Sequence, residues 1–288
     1  MSEQERDEVT GVDTTGHDWD GIKELNNPLP RWWLWTMYIT IVWGVAYSIA
    51  YPAWPMISGA TAGILGYSTR GEVAAEIERF ETQNAALKTA LADADLTTLG
   101  DNADLNRFAI AGGASVFRAQ CSQCHGAGAA GAKGYPNLLD DDWLWGGTID
   151  EIAHSIRHGI RNDQDEEARW SQMPAFGELL EEEEISQVVN HVLAISGADH
   201  DGAKAAMGAE IYADQCSACH AEDGTGDRDQ GAPNLTDAIW LYGGDEATLM
   251  ATVTNSRFGV MPAWGKRLST ADVNAVAAYV HQLGGGED

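Results

Sequence analysis

The chain repeats itself, and the repeat carries its chemistry. Gly113-Ala-Ser-Val-Phe-Arg-Ala-Gln-Cys121-Ser-Gln-Cys124-His125 returns as Gly208-Ala-Glu-Ile-Tyr-Ala-Asp-Gln-Cys216-Ser-Ala-Cys219-His220. Pro136-Asn137-Leu138 returns as Pro233-Asn234-Leu235, and Trp143-Leu144-Trp145-Gly146-Gly147 as Trp240-Leu241-Tyr242-Gly243-Gly244. Met173-Pro174-Ala175-Phe176 returns as Met261-Pro262-Ala263-Trp264, and Ile185, Val188, Val189 and Val192 align with Val273, Val276, Ala277 and Val280. Such a recurrence means two copies of one structural unit, here expected over residues 108–198 and 203–286. Each copy reads as helical at both ends. The second closing helix opens on the capping-box pattern Ser269-Thr270-Ala271-Asp272, and Glu181 to Glu184 place negative charge at the start of the first. The middles are rich in Gly and Pro and show no strand periodicity, so the fold class is all-α. A long structureless stretch ordinarily argues against an assignment; here it points to a chain folded around a large cofactor.

The four cysteines stand only as Cys121/Cys124 and Cys216/Cys219, which is no disulfide framework. Cys-x-x-Cys-His is the attachment signature of c-type haem. Two thiols at this spacing reach both vinyl groups of one porphyrin, and the adjacent histidine lies under the iron. A zinc site needs a second Cys/His pair within about 12–20 residues, far less than separates Cys124 from Cys216. A dithiol redox motif needs a βαβ context that this chain lacks. The expectation is two covalently bound c-type haems with His125 and His220 as axial ligands. An electron-transfer haem takes a second axial ligand, and methionine sulfur raises its potential. Met173 and Met261 stand at equivalent positions before Pro-Ala-aromatic and are the expected distal ligands. Met1, Met37 and Met56 lie in the tail and anchor, Met207 precedes its own cysteine pair, and Met250 has no counterpart. None of His154, His158, His191, His200 and His281 recurs at a matching position, so these read as surface or satisfied histidines.

Trp32 to Tyr51 holds no charged residue, long enough as a helix to cross a hydrocarbon core. Prolines bracket it, and Trp32, Trp33, Trp35 at one end and Tyr51, Trp54 at the other suit the two interfaces. A cleaved signal peptide is the rival, with Ala60-Thr61-Ala62 as the cleavage pattern; the long acidic lead and the length of the run favour an uncleaved anchor. The expected layout is a tail over 1–30, an anchor over 31–55 and a linker over 56–107. Lys23 and Arg31 precede the span and Arg70 follows it, which places the N-terminus in the cytoplasm. In the linker, Val73, Ile77, Phe80, Leu87 and Leu91 form the narrow stripe of an amphipathic helix, suited either to a partner helix or to the first haem domain.

The formal net charge is −27. Residues 1–31 hold eight acidic and three basic side chains, and 32–69 hold none of either, leaving −22 for residues 70–288. That field repels nucleic acid and attracts basic proteins.

Each repeat resembles a class I cytochrome c domain, and the resemblance covers residues 108–286. In that family a proline carbonyl after the haem motif hydrogen-bonds the axial histidine, and Pro136 and Pro233 match it by position. The whole chain resembles the diheme subunit of cbb3-type cytochrome c oxidases. The acidic tail, Asn27-Pro28-Leu29-Pro30-Arg31-Trp32-Trp33, the single anchor and Gly66-Tyr67-Ser68-Thr69-Arg70 carry that likeness. The resemblance implies a bacterial inner-membrane protein with periplasmic haem domains. It implies electrons accepted from a donor cytochrome c, expected to be basic, and passed toward a monohaem subunit and the oxygen-reducing catalytic subunit, in proton-motive respiration. The alternatives are a tethered diheme carrier working alone, a subunit of another redox complex, and a diheme peroxidase, which needs an open iron position.

Overall fold

The computed structural model describes residues 5–288, and the chain divides between Gln83 and Asn84 into two units. In the first, β1 (Thr14–Trp19) and β2 (Ile22–Leu25) pair antiparallel, with Trp19 opposite Ile22. The turn between them is Asp20-Gly21, with φ of 52° and 86°. Positive φ at both positions makes a type I′ turn, and Asp-Gly is a dipeptide that accepts it. The expected tail therefore holds a hairpin over residues 14–25, because a two-residue turn signal leaves no mark on periodicity. Helix α1 (Arg31–Ala50) starts after Pro30 and stops at Tyr51, ahead of Pro52. Its mean hydropathy is 1.3, and none of its residues is buried. It is long and apolar enough to cross a membrane. The short strands β3 (Pro55–Met56) and β4 (Gly59–Ala60) follow.

Helix α2 spans Thr69–Ala92. Val73, Ile77 and Phe80 on its stripe are exposed, whereas Leu91 near its end is buried in the core of the second unit.

The second unit is built from α3 (Ala103–Val116), α4 (Ser122–His125), α5 (Ile149–His158), α6 (Glu182–Ile195), α7 (Gly202–Gln215), α8 (Ser217–His220), α9 (Glu246–Asn255) and α10 (Thr270–His281). Side chains cap their starts as the sequence suggests. Ser269 accepts from the Asp272 amide, and Glu181 and Glu184 form a reciprocal capping box.

These helices make two cores, and the cores are not the two linear repeats. Helix α10, which closes the second repeat, packs on α3 and α5 of the first. Helix α6, which closes the first repeat, packs on α7 and α9 of the second. One lobe gathers Leu105, Ala109, Phe117, Ile152 and Ile156 with Val273, Val276, Ala277 and Val280. The other gathers Ile185, Val188, Val189 and Val192 with Tyr212 and Leu249. The equivalent glycines show the exchange most sharply. A Cβ on Gly113 would lie 2.1 Å from Ala275 O, and one on Gly208 would lie 2.0 Å from Gln187 O. Each opening helix thus crosses the other repeat's closing helix at backbone contact, and only glycine permits that approach.

The connection explains the exchange. Only Ser196 to Asp201 separate α6 from α7, and so short a link makes antiparallel neighbours of consecutive helices. Asn190 seals it, accepting from the Asp201 amide at 2.7 Å and donating to Glu246 at 3.0 Å. Helix α10 is then the closing helix left for α3. The second lobe is a contiguous stretch, Met173 to Phe258, inserted within the first.

Candidate haem-binding sites

In the first lobe, α3 runs through a π-helical turn (Phe117–Cys121) that ends on Cys121 and into the single turn α4, which carries Cys124 and His125. In the second, α7 leads directly into α8 with Cys216, Cys219 and His220. All four cysteines are free, Cys121 and Cys216 half-buried, Cys124 and Cys219 exposed. Burial pushes the Cys121 and Cys216 thiols up to about 11, each helped by its partner cysteine. His125 Nδ1 donates to Pro136 O at 3.2 Å, and His220 Nδ1 to Pro233 O at 3.1 Å. A carbonyl can only accept, so the proton sits on Nδ1 and the Nε2 lone pair is free for a metal. Burial lowers the pKa of both rings against the smaller opposing effect of the proline bond, a shift that favours the neutral imidazole.

Each methionine segment docks on the other repeat. Met261 and Ile160 exchange two backbone hydrogen bonds of 3.0 Å, and the Trp264 and Gly265 amides donate to Ile156 and Arg157 at the end of α5. Ser256, just past α9, donates through Oγ to Met173 O at 2.6 Å. A Cβ on Gly177 would meet Thr254 O at 2.9 Å, and one on Gly265 would meet Arg157 O at the same distance. Met261 therefore belongs to the lobe of Cys121, Cys124 and His125. Met173 belongs to the lobe of Cys216, Cys219 and His220.

The remaining histidines are engaged elsewhere. His154 bonds Glu167 O at 3.1 Å, and His158 bonds Asp165 at 3.1 Å and Glu167 at 3.3 Å. His191 packs its ring at a tilt against Tyr212, His200 bonds Ala198 O, and His281 bonds Glu287 O. Among the described residues, no cluster of three or more His, Cys, Asp or Glu could hold a free metal ion.

The surroundings fit a tetrapyrrole that carries carboxylates. Arg169 Nε is buried without a hydrogen-bond partner among the described residues. Arg169 and Arg161 pack their guanidinium groups 5.7 and 6.0 Å from the Trp145 ring centroid. Burial lowers the pKa of both. A group with ionised side arms suits such cations, since a buried charge without a counterpart is costly. The tryptophan itself ties the lobes together: a Cβ on Gly231 would lie 2.2 Å from its ring, and one on Gly134 would lie 3.2 Å from Tyr242.

Sequence reasoning missed several of these residues. The crossing glycines recur in the repeat and so left a signal, as did Arg169, which recurs as Arg257 four residues before the second methionine, whereas Arg161 and Asn190 have no counterpart of their own type and left none.

Two lobes of helices, each offering a paired-cysteine helix and a proline-oriented histidine, define a tandem cytochrome c behind one apolar N-terminal helix. The family model described as cytochrome c oxidase, cbb3-type, subunit III matches residues 108–192 and 203–280, and that for the N-terminal domain of cytochrome oxidase-cbb3, FixP, matches residues 11–58. The chain is 62% identical over 276 residues to the cbb3-type cytochrome c oxidase subunit CcoP of Cereibacter sphaeroides, covering 95% of each. It is 51% identical to subunit FixP of Azorhizobium caulinodans, covering 98% of this chain and 96% of that one. The chain belongs to the cbb3-type cytochrome c oxidase subunit III family, whose cytochrome c domains bind c-type haem covalently.

Proposed function

We propose that this chain carries two c-type haems and relays single electrons from a donor cytochrome c to the catalytic subunit of a cbb3-type oxidase. Cys121 and Cys124 hold one haem through thioethers, between His125 and Met261. Cys216 and Cys219 hold the other, between His220 and Met173. When bound, haem supplies a one-electron couple whose potential a methionine ligand raises. The chain's part is to hold and orient. Pro136 and Pro233 fix each imidazole's tautomer and direction, the docked strands carry the methionines, and the packed helices exclude water. Lys23 and Arg31 on one side of α1 favour a cytoplasmic N-terminus with the haem lobes in the periplasm. The other subunits of the oxidase are its partners, including a monohaem cytochrome c subunit.

The observation that carries this reading is the crosswise docking of each methionine strand on a lobe that already presents a cysteine pair and an oriented histidine. The mass should exceed that of the polypeptide by two haems, and the denatured chain should keep haem staining. In a chain whose second haem is removed by Cys216→Ala and Cys219→Ala, Met261→Ala should abolish the near-infrared methionine–iron band and Met173→Ala should leave it. The opposite pattern would return each methionine to the cysteine pair of its own repeat.

A further inference from the structure

One guanidinium touches both methionine strands. Arg161 Nε donates to Ser171 O at 2.6 Å, and Arg161 Nη1 donates to Gly259 O at 3.2 Å. Ser171 stands two residues before Met173, and Gly259 two before Met261, so the two carbonyls are equivalent positions of the repeat. Arg161 also follows Ile160, whose backbone pairs with Met261. Its guanidinium packs 5.6 Å from the Phe258 ring and 6.0 Å from that of Trp145. Among the described residues no carboxylate lies within ion-pairing distance of it, and the two side-chain hydrogen bonds it makes both go to these strands. The backbone accepts strain to put it there: Arg161 has a φ of 52°, left-handed for a bulky side chain.

We propose that Arg161 is a positioning residue shared by the two haem centres, clamping both distal-methionine strands from the seam between the lobes. The inference rests on the methionine-ligand reading above. Hydrogen bonds from a charged donor are the strong ones, and a clamp of this kind makes methionine release at either haem sensitive to one side chain. A single substitution should therefore loosen both haems together, although they sit in different lobes and belong to different repeats.

Imidazole reads this directly, because it takes the sixth position only when methionine lets go. The haem-loaded full chain in mild detergent is titrated with imidazole and followed in the Soret region. Arg161→Ala should raise imidazole affinity tenfold or more across the full two-haem amplitude. Arg161→Lys keeps the charge but cannot reach both carbonyls at once, and it should fall between. Arg257→Ala removes a neighbouring cation that stacks on Tyr242 and bonds Thr252, and it should change nothing. An effect confined to half of the amplitude, no effect, or an equal effect from Arg257→Ala overturns the clamp. If Arg161→Ala does not accumulate with haem, Arg161→Lys carries the test, and unchanged affinity overturns the proposal. Met173→Ala and Met261→Ala run beside these, and each should open half of the amplitude. Where both do so and the Arg161 variants are silent, only the clamp fails; where neither does, the ligand reading fails and takes the clamp with it.

Discussion

Tyr212 and Phe117 stand at the same place in the two repeats, each packed where an opening helix crosses a closing one. Phe117 lies 5.6 Å from Tyr279 and Tyr212 lies 5.1 Å from His191, ring centre to ring centre. Only the tyrosine has a hydroxyl, and it donates to Ala221 O at 2.9 Å and His220 O at 3.3 Å. Tyr212→Phe should cost about 1 kcal/mol in chemical denaturation, the usual net worth of a hydrogen bond. Burial is the main cause that pushes the Tyr212 phenol up to about 12. A phenol whose pKa is raised by folding gives stability that is complete below its ordinary value near 10 and lost as pH climbs through the folded value. The wild type should therefore weaken between about pH 10 and 12 more steeply than Tyr212→Phe; parallel curves would show that the hydroxyl ionises freely. The neighbours Gly112 and Gly113 make a second test. A Cβ on Gly112 meets only the Ala275 side chain at 3.8 Å, whereas one on Gly113 strikes Ala275 O at 2.1 Å. Helix propensity gains about 1 kcal/mol from Gly→Ala, and forcing a backbone apart costs about 1–3 kcal/mol on top of losing that crossing. Gly112→Ala should raise the melting temperature and Gly113→Ala should lower it. Equal effects would mean that the helices do not cross there.

The exchange of closing helices makes the packed unit differ from the repeated one. The second lobe is continuous in sequence: Met173, α6, α7, α8 and α9 supply its core and its cysteine pair. Residues 170–260, exported alone, should take up one haem and melt cooperatively. The linear repeat 203–286 retains α7 but lacks α6, its partner, and should do neither. Haem stain and a melting curve decide it, and a stable, haem-loaded 203–286 would mean that α10 can close on α7. What the sequence made legible follows from this geometry. Cys121 to His125 and Cys216 to His220 are local patterns, and a motif whose three residues lie within five positions shows itself without a fold. Met173 and Met261 stood out as candidates because the repeat isolates them from the other methionines. Which closing helix meets which opening helix was not, since Gly113 and Gly208 offer the same crossing and Val188 and Val276 the same apolar face. Identical faces do not encode a choice; the short link Ser196 to Asp201 does, through reach and not through pattern. The hairpin at Asp20-Gly21 escaped for a related reason, being a two-residue event inside an acidic, aperiodic stretch.

At the scale of the whole molecule, charge is the property that does not depend on any one contact. Seventeen basic residues stand against 44 acidic ones, and −22 of the net −27 lies in residues 70–288. Ion pairs in this part of the chain are sparse, with Arg107–Asp104, Lys204–Glu183 and Arg228–Glu287 among those formed, so most of the negative charge is left facing water. Exposed pairs of that kind add little to stability, and the excess charge costs the fold some self-repulsion. Its use is long range. An acidic surface draws a basic partner from beyond contact distance and raises the encounter rate by about 10- to 1,000-fold. Salt shortens that reach to about 8 Å at physiological strength and 3 Å at 1 M. If this chain receives electrons from a basic cytochrome c, oxidase turnover with that donor should fall on the order of tenfold as salt rises from about 10 mM toward 0.5 M. The decline should lie in the second-order rate and leave the haem spectra unchanged. An artificial small neutral reductant should show no such slope, which separates steering from a general effect of salt on the oxidase. A donor rate indifferent to ionic strength would detach the charge from docking, and full donor-driven turnover in an oxidase lacking this chain would remove the relay itself.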